Sequence, residues 1–451
     1  MAAETADRGL TATERSLLRQ TLRGELATTD GVDPIDLAPR SAETDRLRRR
    51  GLLPRQPSTT FTLVDNNGVL TWEEGFGLRT TGLRRGRSFG GGLARGEIIE
   101  RVQAQPLPLG NEVTAYLVGL DDKWTPGQGL REWDGNVLGP ALSPGSPVAP
   151  EGKILVLVHG TFSNSERLFE EIAAAPQGKA FLRLIKQNYD KIYAFSHPTV
   201  SISPVFNAVE LARHFRGTKA SVDVVAHSRG GLVVRWWLEV MEPNTTGARR
   251  AVLVGSPLDG TSLATPRRLR DVLSWLTNVH YALVGATGLA SAVIPFLSVV
   301  VGFLRISASI TNVVATTPAA DAAISLIPGL SAMTRVNLEL ARLNVELTTR
   351  PEYFAVISDF SPPPTGLAVW RFITEAKTRI TDAAADLLFQ GKNDLVVDTD
   401  SMTLLAGQSR AAGAANITDL LDFGTQGDVH HINYFRNQKT LEFIATSFGL
   451  H

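Results

Sequence analysis

Ser228 lies in the string Ala226-His227-Ser228-Arg229-Gly230, with a small residue two places away on each side. Small residues at those two positions let a backbone turn sharply enough to push a serine hydroxyl clear of its surroundings, at the cost of strain in the serine itself. A hydroxyl is a poor nucleophile at neutral pH. It needs a base to take its proton as it attacks, and the base needs a carboxylate to fix its tautomer and stabilise the imidazolium. Both residue types follow Ser228 in the chain: Asp359, Asp394 and Asp398 as carboxylates, His430 and His431 as bases. The other histidines suit the task less. His159 and His227 adjoin motif loops, His197 and His214 precede the serine, His280 lies in an apolar run, and His451 ends the chain.

A serine at such a turn needs a strand before it and a helix after it. Val222 to Val225 predict a short buried strand, and Gly231 to Met241, with Leu232, Val233, Trp236, Trp237 and Val240, predict a helix packed on a sheet. The same grammar recurs on both sides. Lys153–Val158 predicts a strand running into His159-Gly160-Thr161-Phe162-Ser163. Helices follow at Ser165–Ala175 and Lys179–Tyr189, then a strand at Lys191–Phe195 and a helix at Pro204–Arg216. Beyond the serine come strands at Ala251–Val254, Tyr353–Ile357 and near Ile417–Phe423. Strand–helix alternation of this kind predicts a mostly parallel sheet covered on both faces, with function at the carboxyl ends of the strands.

Over roughly residues 150–451 these motifs resemble the α/β-hydrolases, in particular bacterial lipases and esterases. The resemblance implies an α/β-hydrolase fold and a serine hydrolase whose chemistry uses no cofactor or metal; whether a structural calcium is bound is not legible. It implies the family's Ser–Asp–His order in Ser228, Asp394 and His431. Gly391-Lys392-Asn393-Asp394 ahead of Leu395-Val396-Val397 is similar to the family's acid loop, with Asp359 and Asp398 as rivals. His431-Ile432-Asn433 resembles its His-x-Asn, with His430 as neighbour. It further implies an oxyanion hole built from the backbone amides of Thr161 and Arg229, Phe162 being an alternative donor. Two features depart from the family pattern: alanine in the first small position of the serine motif, and a long N-terminal extension.

That extension reads as a helical segment over 1–55, in which Thr11 and Glu14 form a capping box ahead of Leu18, Leu22 and Leu26 and Asp45–Arg50 make a charged end. A small β-rich domain over 56–138 follows. It contains a hairpin at Asp65-Asn66-Asn67-Gly68, a short strand at Val113–Val118, and a glycine turn at Ser88–Gly92 that lacks the lysine of a phosphate loop. Residues 139–152, with four prolines and three glycines, read as a linker, and 153–451 as the hydrolase domain. Within it, 262–350 reads as an inserted helical cap or lid, and a further helix is expected near Thr374–Phe389. Thr277–Leu304 carries no formal charge. As a lid it would favour a lipophilic acyl ester and allow transient contact with a lipid surface; as a membrane span it would separate Ser228 from its downstream partners.

Composition narrows the classes. Lys plus Arg equals Asp plus Glu at 45 each, so no net field draws the chain to nucleic acid, and the absence of cysteine excludes thiolate chemistry and disulfides. The first residues, acidic and without an apolar core, do not read as a secretory signal, which leads to a cytoplasmic expectation. Oligomeric state is not legible. The sequence leaves three functional readings open: an ester hydrolase, an amidase, peptidase or acyltransferase using the same residues, and a non-catalytic membrane-associated interaction protein.

Overall fold

The computed structural model describes residues 10–35, 58–66, 68–76, 96–107, 111–242, 247–262, 273–274, 276–278, 294–316, 327–345, 351–360, 392–405 and 417–451. The expectations for Asp45–Arg50, Ser88–Gly92, His280 and the helix near Thr374–Phe389 lie outside these residues. The chain divides into two compact units. One is drawn from Met1–Val113, Pro266–Ala323 and Pro363–Arg379, the other from Thr114–Thr265, Ile324–Pro362 and Ile380–His451.

In the N-terminal unit, helix Ala12–Leu26 begins at the Thr11–Glu14 capping box and buries Leu18, Leu22 and Leu26. Strands β1 (Val32–Pro34), β2 (Thr59–Asn66), β3 (Val69–Phe76) and β4 (Glu97–Ala104) form an antiparallel sheet in the order β1-β4-β2-β3. The hairpin pairs Asn66 with Val69 and turns through Gly68 at φ 89°. Helix Ile294–Thr316 packs in this unit against helix Ala12–Leu26 and strands β1, β2 and β4. Its residues Leu297, Val300, Val301, Leu304 and Ala308 are all buried.

This corrects the reading of 262–350 as one cap. An uncharged run reports burial, not what it is buried against. Here its polar residues close the open edge of β3: Leu70 N–H donates to Asn278 Oδ1 (2.9 Å), Asn278 Nδ2 donates back to the Leu70 carbonyl (2.6 Å), and Trp72 N–H donates to Ser274 Oγ (3.0 Å). An edge strand left with free backbone groups is a site for unwanted pairing, so such closure has a structural purpose. Among the described residues no helix is long and apolar enough to cross a membrane.

The main unit is built on eight strands in the order β12-β11-β10-β9-β7-β8-β5-β6. They are β5 (Gly129–Trp133), β6 (Leu138–Ala141), β7 (Lys153–Val158), β8 (Lys191–Ser196), β9 (Ser221–His227), β10 (Arg249–Val254), β11 (Glu352–Phe360) and β12 (Asp419–Gln426). Strands β7 to β12 run parallel, while β5 and β6 add an antiparallel edge beside β8. The central strands are largely apolar because both faces are covered; the buried exception in β9, Asp223, is held by Arg250 and the Tyr189 hydroxyl. Ile154, Val156 and Val158 of β7 enter one core with Val222, Val224 and Ala226; Leu155 and Leu157 enter the other with Val225, Val252 and Val254. With the serine turn between β9 and helix Gly230–Arg235, this is the α/β-hydrolase fold.

Two boundaries differ from the sequence reading. The stretch Val113–Val118, read as a strand, lies in helix Asn111–Trp124, whose buried Val113, Leu117, Leu120 and Trp124 follow helical spacing over a span longer than the window that suggested alternation. Residues 139–152 do not separate two domains. β5 already belongs to the large sheet, pairing Leu130 with Phe195, and its Leu130 and Trp133 are buried in the cores of that unit.

Candidate active site

The order of strands reverses at β7, which has β8 on one side and β9 on the other. Clefts of parallel sheets open at such a reversal, beyond the carboxyl ends of the strands. β9 delivers Ser228 there. The serine adopts φ 52°, its N–H donates to the Val254 carbonyl (2.9 Å), and its own carbonyl accepts from Gly231 N–H (2.9 Å). The glycines of the turn are sterically required. A Cβ on Gly230 would stand 2.7 Å from the His159 carbonyl oxygen, and one on Gly160 would stand 2.7 Å from Ser228 Cβ. The loop after β7 thus lies directly against the serine.

His431 Nε2 is 2.9 Å from Ser228 Oγ, and its Nδ1 is 2.8 Å from Asp394 Oδ2. With Nδ1–H donating to the carboxylate, Nε2 is left to accept the serine proton. Asp394 is buried in a tight turn where Leu395 takes φ 87°. Its Oδ1 accepts from the amides of Val396 (3.1 Å) and Val397 (2.8 Å), and its carbonyl accepts from His431 N–H (2.9 Å). The three non-glycine residues with positive φ among those described are Phe162, Ser228 and Leu395. Each lies in a loop of this one site, where strain is commonly held.

The rival residues are engaged elsewhere. Asp359 accepts from Thr425 Oγ1 (2.5 Å) and lies 3.8 Å from Lys392 Nζ. Asp398 accepts from Ser262 N–H and pairs with Arg335. His430 sets its ring edge-on to Phe360 and accepts from Ile432 N–H, and burial pushes it down to about 4.

Two backbone donors stand near the serine. Among the described residues neither Thr161 N–H nor Arg229 N–H has an acceptor, whereas Phe162 N–H donates to Thr199 Oγ1 (3.3 Å). That bond, with Phe162 at φ 58°, holds the loop after β7. Thr199 is itself held by buried Asp121, whose carboxylate accepts the amides of Thr199 (2.6 Å), Val200 (3.1 Å) and Ser201 (2.8 Å). The Arg229 side chain is buried and turned to the Ile202 carbonyl (2.5 Å); burial lowers it to about 10 despite Asp121 and Glu339 nearby. Sequence reasoning missed Asp121, Thr199 and also Tyr434, whose hydroxyl lies 3.0 Å from Asp394 Oδ2. An available signal for Asp121 was an acid on the buried face of an apolar helix.

A histidine cluster supports the same loops. His159 Nε2 accepts from His197 N–H (3.0 Å), His197 Nε2 meets the His159 carbonyl (3.1 Å), and the two rings stack 4.2 Å apart. His227 Nε2 meets the carbonyl of His431 (2.9 Å). Burial pushes His159 down to about 4, His227 down to about 3, and His197 well below its ordinary value. The unfolded chain therefore takes up protons below about pH 6.5 while the fold refuses them, so stability present above pH 6.5 is lost as the pH falls toward 4. Each histidine contributes at most about 1.4 kcal/mol per pH unit. Glu171, pushed up to about 7 by burial, opposes this, as do Glu210, Glu242 and Asp259, which burial also raises. The expected result is a melting temperature that falls continuously from pH 6.5 to 4.5; a flat profile would contradict neutral burial of these rings.

No curated protein is a significant match to the chain. Among solved structures it is similar to lipase 1 from Pelosinus fermentans, with 15% identity, 68% of this chain and 98% of that chain covered, and a TM-score of 0.40. It is similar also to a bromoperoxidase from Bacillus anthracis, with 12% identity, 67% and 93% covered, and a TM-score of 0.37. For the metagenomic carboxyl esterase MGS0156 the values are 16%, 74% and 90%, and 0.33. Residues 127–449 match the model of a family described as a domain of unknown function, DUF7379, a span that runs from β5 to the last helix and takes in Thr161, Ser228, Asp394 and His431. This chain is a member of the DUF7379 family.

Proposed function

We propose that the chain is a serine hydrolase that cleaves carboxylic esters through an acyl-enzyme on Ser228. The observation that carries this reading is the unbroken run of hydrogen bonds from Ser228 Oγ through His431 to Asp394. Ser228 Oγ attacks the carbonyl carbon as its proton passes to His431 Nε2, and Asp394 stabilises the imidazolium. The amides of Thr161 and Arg229 meet the oxyanion. Collapse breaks the ester bond, and the departing alkoxide takes the proton from His431. Water then attacks the acyl-enzyme by the same route, releasing the acid and restoring the serine.

The substrate reading is narrower than the sequence invited. The preference for lipophilic acyl groups, and lipid contact through a lid, rested on the run Thr277–Leu304, whose described part belongs to the N-terminal unit. Beside the oxyanion loop the neighbours are Met333, 3.7 Å from Thr161 Oγ1, and Trp124, edge-on to Phe162. These apolar groups suit an uncharged acyl chain.

A fluorophosphonate probe tests the reading. The expected result is an adduct on the peptide containing Ser228, with turnover of para-nitrophenyl esters faster than that of matched anilides. A folded protein that takes no label, with or without detergent, overturns it. Anilides cleaved faster than esters would move the assignment to an amidase.

A further inference from the structure

We infer that Tyr434 is a positioning residue of this site, its hydroxyl holding Asp394 Oδ2 in line with His431 and sharing the charge of that carboxylate. The inference rests on the serine hydrolase reading above and adds to it a group that never touches substrate. Asp394 Oδ2 receives two donors, His431 Nδ1 at 2.8 Å and Tyr434 Oη at 3.0 Å, while Oδ1 receives the two amides of its own turn. With both oxygens held, the carboxylate cannot rotate away from the imidazole. Tyr434 opens the 3-10 turn Tyr434–Arg436, three residues after His431, so one short segment carries both donors to Oδ2.

Packing alone does not require the hydroxyl. The Tyr434 ring is fully buried in the core beneath β10 and β11, where a phenylalanine ring fills the same volume. Room for it is made by Gly255 at φ 55°, where a Cβ would stand 2.8 Å from Tyr434 Cε2 and 3.1 Å from Asp394 Oδ2. The hydroxyl's further neighbours are Met402 Sδ at 3.9 Å, a weak acceptor, and the backbone amide of Ser358, which can only donate to it. A buried phenol needs an acceptor, and Asp394 is the strong one at hand. Burial and the adjacent carboxylate hold Tyr434 well above its ordinary value, so it remains a donor throughout the working range.

The consequence is electrostatic. A carboxylate whose charge is shared with a phenol stabilises the imidazolium less than one that serves the imidazole alone. Removing the hydroxyl should therefore leave the carboxylate more charge with which to stabilise the imidazolium, and so move the acid limb of the serine's reactivity to higher pH. The other charged or titratable groups facing this corner are His227 from the end of β9, His430 beside it, Asp422 on β12 and Arg436 on the same turn. His227 and His430 are pushed down to about 3 and about 4, below the region of interest.

The test uses the full chain with Tyr434→Phe, first checked for folding by circular dichroism and thermal melting. The second-order rate constant for fluorophosphonate labelling of Ser228 is then followed against pH. The acid limb is expected to move up by about half a unit to one unit, with a maximal rate about three- to tenfold lower. Should that variant fail to fold, the wild-type chain made with 3-fluorotyrosine, a stronger donor, is expected to move the limb down instead. A limb superimposable on that of the wild type in the folded material tested overturns the inference, even if the rate falls uniformly, because a purely structural loss does not shift it. A wild-type chain that takes no label at all removes the hydrolase reading first, and this inference with it.

Discussion

Ser228→Ala is expected to lower ester turnover by about 10^5- to 10^6-fold and to abolish fluorophosphonate labelling, while the fold persists. Knockouts of a nucleophile in such an arrangement cost about that much, leaving only what binding and oxyanion donors supply. The substitution removes Oγ and little else. The backbone bond from Ser228 N–H to the Val254 carbonyl stays, and alanine bears the φ of 52° no worse than serine does. His431 Nε2 is left without a hydroxyl to deprotonate. The measurements are kcat on a para-nitrophenyl ester and the melting temperature. A fall in kcat below about 100-fold in the folded variant, far short of the loss expected for a nucleophile, would show that Ser228 does not form the acyl-enzyme.

Asp394→Asn carries the second largest effect, a loss of about 10^4-fold in kcat. All four donors to the Asp394 carboxylate point at its oxygens. An amide must set its NH2 against either the two backbone amides of Val396 and Val397 or the pair formed by His431 Nδ1–H and Tyr434 Oη. In the second orientation the imidazole relieves the clash by moving its proton to Nε2, where it can no longer accept from Ser228. Asp359→Asn makes the paired control. Its buried carboxylate serves Thr425 and the exposed Lys392 and none of Ser228, His431 or Asp394, so kcat should change by no more than about threefold. Equal losses in the two variants would return Asp359 to candidacy.

What could be read in advance followed from how local the physics is. The serine turn was legible because its demands, small residues at 226 and 230 and a strand feeding a helix, fall within about fifteen consecutive residues. The parallel sheet was legible because strands covered on both faces are largely apolar, as Ile154–Val158 is throughout and Val222–Val225 is at every position but Asp223. Asp394 and His431 were singled out by family resemblance, since nothing in a pairwise reading ties residue 394 to residue 431. Helix Asn111–Trp124 was misread because a six-residue window does not separate the two periodicities. The support of the loop after β7 was illegible for a different reason. Asp121 and Thr199 are 78 residues apart, and only the fold brings a carboxylate on a helix to the amides of a loop after β8. Tyr434 sat in plain view beside His431, but its ring reads as core and its hydroxyl has meaning only once Asp394 is beside it.

The interleaving of the two units along the chain sets a timetable for biosynthesis. Helix Ala12–Leu26 and strands β1 to β4 leave the ribosome early, yet Ile294–Thr316, the helix that packs on Ala12–Leu26, β1, β2 and β4, is encoded about 200 residues later. At ordinary elongation rates that is a wait of roughly 10–40 s with an apolar sheet face and the β3 edge uncovered. Throughout it the strands that will carry Ser228 are being made and are free to assemble. The nascent N-terminal unit is thus the stretch most exposed to chaperones and proteases. A chain shortened to begin at Thr114 would transfer the same hazard to Ile294–Thr316, which would be made with no partner to cover it.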